Sequence, residues 1–171
     1  MPYKFVMKKI NTSESILVRK ATLNDIETLL RFEQGVIRAE RPFDMTLKPD
    51  PIHYYDIEGM VKASHIELVV AELNGKIIGS GYARLEEAKP YLRHARHAYL
   101  GFMYVDPDYR GRGMNQKIIE ELKAWSVSQN VLEMRLDVYF NNDNAIWAYE
   151  KAGFTKHMIE MRMDINPRSL Q

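Results

Sequence analysis

Val105-Asp-Pro-Asp-Tyr-Arg-Gly-Arg-Gly-Met-Asn-Gln116 joins an apolar run, residues 99–105, to an amphipathic run. In the second run the apolar residues recur at helical spacing, at Met114, Ile118, Leu122 and Trp125. The pattern predicts a strand that passes through a tight turn directly into a helix.

The turn at this junction is rich in glycine and arginine. Gly111 and Gly113 alternate with Arg110 and Arg112. Glycine lets the backbone curl, so successive amide N–H groups converge at the start of the helix, where the dipole is positive. Such a concave backbone binds phosphate, and neighbouring guanidinium groups strengthen the binding. From this motif alone, a glycine-rich turn with solvated arginines explains the residues equally well.

Length and composition limit the class of protein. The 171 residues are expected to form one domain over 1–171, with 1–14 an extra strand or a loose N-terminus and 166–171 a tail. A formal charge of +1 creates no field that would attract nucleic acid or a membrane. The absence of cysteine excludes disulfides and thiolate metal sites. No apolar run approaches the roughly 20 residues of a membrane span, and 1–9 do not resemble a signal peptide. A cytoplasmic protein is therefore expected.

Periodicity and turn residues predict the order of the elements. A strand at 16–20 leads into a helix with Thr22 or Asn24 as its N-cap, and a proline-rich loop follows. The remaining predicted elements are a helix at about 52–63, a hairpin of 66–73 and 76–85 around Asn74-Gly75, a basic connection at 89–97, the central strand at 99–105, the helix ending near 130, a strand at 132–138, a helix at 145–152 and a last strand at 155–165.

One acidic residue interrupts the first predicted helix. Its apolar face is predicted to consist of Ile26, Leu29, Leu30 and Ile37, and Glu33 falls on that same face. A carboxylate among inward-facing apolar residues must be paired, protonated or next to a cavity. A salt bridge to Arg84 or Arg93 is one way to satisfy it. The basic connection at 89–97 is a solvated loop or attracts an anionic ligand.

A second motif follows the first by about 30 residues. It reads N-N-D-N-A-I-W-A-Y-E-K-A-G-F and contains Asn142, Ala145, Tyr149, Gly153 and Phe154. Together with V-D-P-D-Y-R-G-R-G-M-N, this sequence resembles the GNAT superfamily of acetyl-CoA-dependent N-acyltransferases. That family carries V-x-P-x-Y-R-G-x-G before its central helix and N-x-x-A-x-x-x-Y-x-x-x-G-F near the C-terminus. The predicted order of strands and helices agrees with the family from residue 16 to 165.

The resemblance implies an α/β (α+β) fold. The expected sheet is mixed, mostly antiparallel and twisted, with six to seven strands, a splayed parallel pair and about four helices on both faces. One position departs from the family's Q/R-x-x-G-x-G/A pattern, because Asn115 stands where Gly or Ala is common. Asn tolerates turn conformations, so the departure bears on a local coenzyme contact and not on the fold.

The resemblance also implies acetyl-CoA as co-substrate and no metal. The coenzyme is expected where the strand ending at Val105 splays from the strand at 132–138. Pantetheine would pair with the backbone of Met103, Tyr104 and Val105. The pyrophosphate would lie on Arg110, Gly111, Arg112, Gly113, Met114 and Asn115, with Asn142 and Tyr149 also near the coenzyme.

The chemistry implied by the family is direct attack of a primary amine on the thioester. A strand amide near Phe102 or Met103 would hold the acyl oxygen, and Tyr149 would protonate the departing thiolate. A phenol is a plausible donor because its pKa of about 10 lies above a thiol's of about 8.5. Packing alone explains Tyr149 as well, and capping alone explains Asn142. Glu33 is the candidate base, an acceptor-binding charge or a structural acid, and Tyr99, Tyr104 and His97 are water-mediated alternatives.

The acceptor is not identified by the sequence. It is expected to be a small-molecule or peptide amine, with no nucleic acid or membrane partner, and a homodimer is compatible with the family. A non-catalytic acyl-CoA-binding module that regulates a partner protein is the alternative function. A nucleotide phosphate module is weaker, because R-G-R-G-M-N lacks the Lys-Ser/Thr pair that cradles a triphosphate.

Overall fold

Five strands and four α-helices are formed by the residues that the computed structural model describes, 15–166. The strands are β1 (Ile16–Lys20), β2 (Ile66–Leu73), β3 (Lys76–Glu87), β4 (Arg96–Val105) and β5 (Met134–Arg135). The helices are α1 (Ile26–Glu40), α2 (Ile57–Lys62), α3 (Met114–Ser128) and α4 (Asp143–Lys151). Short 3-10 turns over Leu23–Asp25 and Pro107–Tyr109 precede α1 and α3. No helix within 15–166 is long and apolar enough to cross a bilayer.

The sheet has the order β1-β2-β3-β4-β5, and only the last pairing is parallel. The β2–β3 hairpin closes at Asn74 and Gly75, whose φ angles of 51° and 77° are those of a primed turn. This confirms the mixed, mostly antiparallel sheet with one parallel pair and helices on both faces. The count of strands differs, since six to seven were expected and 15–166 contain five.

A bulge in β4 controls which side chains face the first helix. Tyr82 of β3 lies opposite Gly101, whereas Ser80 lies opposite Tyr104, so two steps on β3 match three on β4. Side chains alternate in a regular strand, and an extra residue reverses the alternation. Tyr99, Phe102 and Tyr104 therefore all reach the same apolar cluster. Phe102 adopts a left-handed φ of 54° at this point.

Helices α1 and α2 lie on one face of the sheet, and α3 lies on the other. Leu29, Phe32 and Val36 of α1 pack with Tyr82 in the cluster that also includes α2 residues. Gly81 of β3 faces the other way, and a Cβ built on it would lie 2.7 Å from a methyl carbon of Ile118 in α3. The predicted inward face of α3 is confirmed for Met114, Ile118 and Leu122, all at most 1% exposed.

The first helix differs from its prediction at two residues. Thr22 is the N-cap of the 3-10 turn over Leu23–Asp25, where it shares a capping box with Asp25, and Asp25 is the N-cap of α1, so neither Thr22 nor Asn24 caps α1 itself. Leu30 is 39% exposed, so its place on the inward face was wrong. The buried residues follow the i, i+3, i+4 spacing of one face, at Leu29, Phe32, Glu33, Val36 and Ile37. Leu30 lies about 100° away from Leu29 around the helix, which places it at the edge of that face.

Other predicted boundaries moved for identifiable reasons. α2 begins at Ile57 and not near 52, because the Asp56 side chain caps it while the preceding amides bond elsewhere. β4 begins at Arg96, so Arg96 and His97 belong to the strand and not to the basic connection. β5 is limited to two residues because its ladder with β4 contains only Ala98–Met134 and Tyr99–Arg135.

The last predicted strand, 155–165, is wrong within the described residues. Residues 155–166 form no strand, and the alternating Met161, Met163 and Ile165 are 88%, 84% and 78% exposed. An alternating pattern becomes a strand only when a neighbouring backbone completes its hydrogen bonds, and none does here. The prediction of an extra strand or a loose N-terminus for 1–14 lies outside the described residues.

Two compact units divide the chain, one ending at Asp137 and the other beginning at Val138. The second unit is organised around α4. Asn142 caps this helix by accepting a hydrogen bond from the Ala145 amide at 3.2 Å, as expected of the residue before a helix. Gly153 follows the helix with a φ of 101°, which agrees with its predicted left-handed position.

Candidate active site

The glycine turn leaves the start of α3 open. Gly111 and Gly113 have φ angles of 72° and 77°, which favour glycine, and a Cβ built on either would meet nothing within 4 Å. Gly113 is the N-cap, and no side chain supplies a cap hydrogen bond. The first-turn amides of a helix have no intrahelical acceptor. The first turn of α3 also contains no acidic residue, so its dipole is not neutralised by the chain itself.

The two arginines brace the turn with part of their donor capacity. Arg110 Nε donates to the Val105 carbonyl at 3.0 Å, and an Arg112 terminal nitrogen donates to the Asp108 carbonyl at 3.1 Å. Arg112 also lies over the Tyr109 ring at 5.4 Å. Each guanidinium carries five N–H donors, so donors remain for an anion at the turn. The positive charge predicted beside the turn is therefore present, and hydrogen bonds to the backbone hold both arginine side chains in place.

The free edge of β4 lies next to this turn. Its pairing with β5 ends at Tyr99, whereas its pairing with β3 continues to Val105. Beyond Tyr99, the side of β4 that faces away from β3 therefore has no ladder partner within 15–137. Backbone N–H and C=O groups on such an edge are available to an extended ligand. Met103, Tyr104 and Val105 are on this stretch.

A row of aromatic rings lies on the α1 side of the bulge. Tyr55 stacks on Phe102 with ring centroids 4.6 Å apart and meets Tyr82 edge-on at 5.9 Å. Tyr82 in turn lies 6.5 Å from Tyr99. Ser80, fully buried, donates its hydroxyl to the Phe102 carbonyl at 3.1 Å. Ser80 of β3 thus holds the backbone of the bulge, and the Tyr55 ring covers the Phe102 side chain.

The phenols in this row are donors and not bases. Burial raises the pKa of Tyr55, Tyr82 and Tyr99 above the ordinary value for tyrosine. The Tyr99 hydroxyl already donates to Asp137 Oδ2 at 3.1 Å, which raises its pKa further. A phenol that resists ionisation cannot readily accept a proton from an amine. This disfavours Tyr99 as a water-mediated base.

Glu33 is the most completely paired acid of this region. Its side chain is 0% exposed, which agrees with the predicted inward position. Oε1 accepts hydrogen bonds from the backbone amides of Tyr54 and Tyr55 at 2.7 and 2.8 Å. Oε2 lies 2.7 Å from His53 Nδ1. Its partners are therefore the segment before α2, and not the Arg84 or Arg93 side chains considered from the sequence.

Some basic side chains of the connection and of the start of β4 have polar partners. His94 lies 3.2 Å from Glu133, His97 lies 3.4 Å from Glu86, and Arg96 donates to the Gln129 carbonyl at 3.1 Å. His97 is five residues from Phe102 along β4, a distance of about 16 Å at roughly 3.3 Å per residue. That separation disfavours His97 as a base at the bulge.

Tyr149 and Asn142 belong to the unit that begins at Val138. The Tyr149 ring meets Phe154 edge-on at 6.0 Å, and the Tyr149 carbonyl accepts a hydrogen bond from the Phe154 amide at 3.0 Å. These contacts fix the ring at the C-terminal end of α4. The role of Tyr149 as an acid and the coenzyme contact of Asn142 stay predictions.

Sequence reasoning missed the bulge and the residues that cover it. Tyr55, Tyr82 and Ser80 were not singled out, although they lie against Phe102. The one signal of the bulge in the sequence was a glycine within the strand, Gly101. A Cβ at this position would lie 2.5 Å from the Tyr82 hydroxyl, so a larger residue does not fit. A left-handed Phe102 has no local signature. Residues 15–166 contain no group of three or more His, Asp or Glu side chains suited to a metal ion.

Known proteins resemble this chain in sequence and in fold. Residues 27–154 match the family model described as the Acetyltransferase (GNAT) family. An acetyltransferase of Yersinia pestis (strain Pestoides F) is 32% identical over 99 residues, covering 58% of this chain and 64% of that protein. An N-alpha-acetyltransferase of Sulfolobus acidocaldarius is 26% identical over 142 residues, covering 80% of this chain and 78% of that protein. The match therefore spans less than two thirds of the Yersinia protein.

A solved structure shares the fold at low identity. The predicted acetyltransferase of Clostridium acetobutylicum, crystallised with acetyl-CoA, superposes with a TM-score of 0.67. It is 19% identical, and the superposition covers 88% of this chain and 97% of that one. This likeness is one of fold.

Proposed function

The chain belongs to the GNAT acetyltransferase family, and from that premise we propose that it transfers an acetyl group from acetyl-CoA to a primary amine. The observation that carries the proposal is the junction of β4 and α3. Among residues 15–166, the edge of β4 at Met103–Val105 has no ladder partner, and it leads into a glycine turn whose helix amides have no side-chain cap. An extended amide-rich chain and a pyrophosphate, in that order, would satisfy both features.

Acetyl-CoA has that order of groups. Pantetheine amides would pair with the backbone at Met103, Tyr104 and Val105. The pyrophosphate would lie on the amides from Arg110 to Asn115, beside the guanidinium groups. Each helix-terminus contact at an exposed site contributes only about 0.3–1 kcal/mol, so several amides and pantetheine burial must act together. Asn115 is half-buried in the first turn of α3, and its backbone amide remains usable whatever its side chain does.

The reaction is a direct transfer between two bound substrates. The amine nitrogen adds to the thioester carbon, the carbon–sulfur bond breaks, the amine loses a proton and the thiolate gains one. The acyl oxygen would lie at the bulge near Phe102 or Met103. Tyr149 is the proposed donor to the thiolate, and Glu33 the acidic residue proposed to act on the acceptor side. No covalent intermediate on the enzyme is needed.

The acceptor is proposed to be a primary amine on a small molecule or a peptide. The Sulfolobus relative is an N-alpha-acetyltransferase, which favours including peptide amino termini among the candidates. Tyr55, in the segment before α2, would contribute to the choice, because its ring stacks on Phe102 at the bulge.

Two measurements on the full chain test the proposal. Calorimetric titration with acetyl-CoA should give saturable binding. Release of free CoA should then depend on an amine, screened with a polyamine, an aminoglycoside, glucosamine 6-phosphate and a peptide with a free amino terminus. Heat with no CoA release from any amine would favour the non-catalytic acyl-CoA-binding module. No heat at millimolar acetyl-CoA would reject both functions.

A further inference from the structure

Contacts with three aromatic rings hold the Tyr55 side chain against the bulge. Its ring lies nearly parallel to the Phe102 ring, with an interplanar angle of 28°, and is edge-on to Tyr54 and Tyr82 at 87° and 80°. Such offset and edge-on arrangements stabilise aromatic pairs beyond simple burial. The ring is therefore fixed in orientation, and its hydroxyl with it.

Glu33 fixes the backbone that carries Tyr55. The buried carboxylate accepts the Tyr54 and Tyr55 amides on one oxygen and contacts His53 on the other. Hydrogen bonds to an ionised carboxylate are roughly twice as strong as neutral ones. These bonds keep residues 53–55 extended against α1 instead of joining α2. Tyr55 is thus placed by a helix on one side and by the sheet on the other.

The Tyr55 hydroxyl combines three properties. Burial raises its pKa, so it stays protonated and able to donate. Its ring stacks on Phe102 with centroids 4.6 Å apart, which places the phenol at the bulge. Within residues 15–166, no side-chain or backbone acceptor takes the Tyr55 hydroxyl proton. A protonated phenol without an acceptor thus lies against the residue at which the pairing of β3 and β4 shifts.

Resting on the proposed function, we propose that Tyr55 is a catalytic residue whose hydroxyl donates a hydrogen bond to the carbonyl oxygen of the acetyl thioester. When the amine adds, negative charge develops on that oxygen, and a preorganised donor stabilises the charge. Tyr55 keeps its own proton throughout. The proton lost by the amine and the proton gained by the thiolate are carried by other groups. Tyr55 lowers the barrier without changing the balance of the reaction.

The neighbouring tyrosines are poorer candidates for this role. The Tyr99 hydroxyl is committed to Asp137, and Arg84 lies over the Tyr99 ring at 5.4 Å. Tyr82 is 4% exposed with its hydroxyl packed against Gly101. Tyr104 packs its ring on Phe32 at 4.5 Å, towards α1. Tyr55 differs from them because it stacks on Phe102 and remains only half-buried.

The test compares Tyr55→Phe with wild-type protein and with Tyr54→Phe. The first substitution keeps the stacked ring and removes one oxygen, and the control removes the adjacent hydroxyl from the same segment. Loss of one donor to a developing oxyanion costs roughly 10²–10³-fold in kcat. We expect Tyr55→Phe to lower kcat by about 10²-fold, with the acetyl-CoA Kd and the Tm unchanged. Tyr54→Phe should stay within about threefold of wild type, the ordinary size of a change away from the reacting atoms.

Infrared spectroscopy detects the proposed hydrogen bond to the thioester carbonyl without turnover. The infrared carbonyl band of bound acetyl-CoA, labelled with carbon-13 at the acetyl carbonyl, should lie at lower frequency than in free acetyl-CoA. Tyr55→Phe should move the band back towards the free position, and Tyr54→Phe should not. If Tyr55→Phe does not fold, 3-fluorotyrosine at position 55 keeps the packing and strengthens the donor. It should move the band further from the free value.

The outcomes separate the two proposals. An unchanged kcat or an unmoved band in Tyr55→Phe overturns the role of Tyr55 and leaves the transferase function standing. Wild-type protein that binds acetyl-CoA but acetylates no amine contradicts the enzymatic function, and the infrared band then decides whether Tyr55 contacts the thioester. Wild-type protein that does not bind acetyl-CoA removes both.

Discussion

The ring of Tyr104 occupies the space where a side chain on Gly35 would stand. A Cβ built on Gly35 would lie 2.9 Å from Tyr104 Cζ and closer still to Cε2. Glycine in a helix interior is unfavourable, yet Gly35 lies in the middle of α1. The approach of Tyr104 explains it, because α1 and β4 could not come as close over any larger residue. Because Gly35 has no side chain, β4, the strand proposed to bind pantetheine, can lie close to α1.

Gly35→Ala should destabilise the protein although it improves helix propensity. Propensity alone predicts a gain of about 1 kcal/mol, whereas overpacking costs about 1–3 kcal/mol. We expect a net loss of about 1 kcal/mol in the free energy of unfolding, measured with urea. In a Tyr104→Ala background the ring is gone, and the same substitution should become stabilising. A stabilising Gly35→Ala in the wild-type background would show that the contact relaxes freely.

Gly113→Val should weaken acetyl-CoA binding more than it weakens the fold. Valine at a φ of 77° is strained, and that strain costs roughly 1–3 kcal/mol in stability. The side chain would also stand in the open space at the start of α3, where phosphates are proposed. We expect the acetyl-CoA Kd to rise at least about tenfold, or 1.4 kcal/mol. Gly113→Asn, which tolerates the left-handed backbone, is the control for strain. A collapse of the Tm with unchanged affinity would make the glycine architectural.

Gly111→Val should behave like Gly113→Val if the whole turn cradles the pyrophosphate. Its φ of 72° and its open surroundings are nearly the same. Calorimetry on both variants gives the comparison. A loss of affinity in Gly113→Val alone would restrict the phosphate site to the helix amides.

Tyr149→Phe should abolish most turnover and leave coenzyme affinity intact. The substitution preserves the edge-on contact with Phe154 and removes the proposed proton donor. General acid catalysis contributes roughly 10²–10⁴-fold, so we expect kcat to fall by at least about 10²-fold. CoA release and calorimetry measure the two effects separately. Tyr91→Phe, at a side chain that is 77% exposed, is the matched control. Normal kcat in Tyr149→Phe would leave the residue with a packing role.

Glu33→Gln should lower acceptor kcat/KM and spare acetyl-CoA affinity. A neutral amide accepts the Tyr54 and Tyr55 amides less strongly than a carboxylate, so Tyr55 is held less firmly at the bulge. We expect a drop of at least about tenfold, on the order of 1.4 kcal/mol. His53→Gln, which changes only the contact at Oε2, should have a smaller effect. Unchanged acceptor kinetics in Glu33→Gln would remove this residue from the acceptor side.

Asp25 should make the fold sensitive to acid. The Arg19 guanidinium, at 2.9 Å, holds the pKa of Asp25 at about 2, below the ordinary 3.8. The native state therefore favours the ionised form, and the stabilisation is present above pH 4 and lost as the pH falls towards 2. The shift corresponds to about 2 kcal/mol. Urea unfolding at pH 6 and pH 2.5 should show the gap between wild type and Asp25→Asn shrinking at the lower pH. A constant gap would assign the loss to the capping box alone.

Features that depend on neighbours along the chain can be predicted from the sequence alone. The β2–β3 turn follows from Asn74-Gly75, the start of α4 from Asn142, and the open start of α3 from Gly111 and Gly113. Each involves backbone angles or hydrogen bonds over a few residues, so local residue types suffice. The inward position of Glu33 follows in the same way from helical spacing.

Features that depend on strand register and on partners distant in sequence follow only from the tertiary structure. Phe102 takes its left-handed conformation because β3 and β4 pair out of step, and Tyr55 covers it because Glu33 draws its backbone away from α2. Neither contact has a periodic signature, since each joins segments more than 20 residues apart. The same reason limits β5 to two residues and leaves 155–166 without a strand. A strand exists only where a second backbone completes its hydrogen bonds, and no pattern within one segment can supply that partner.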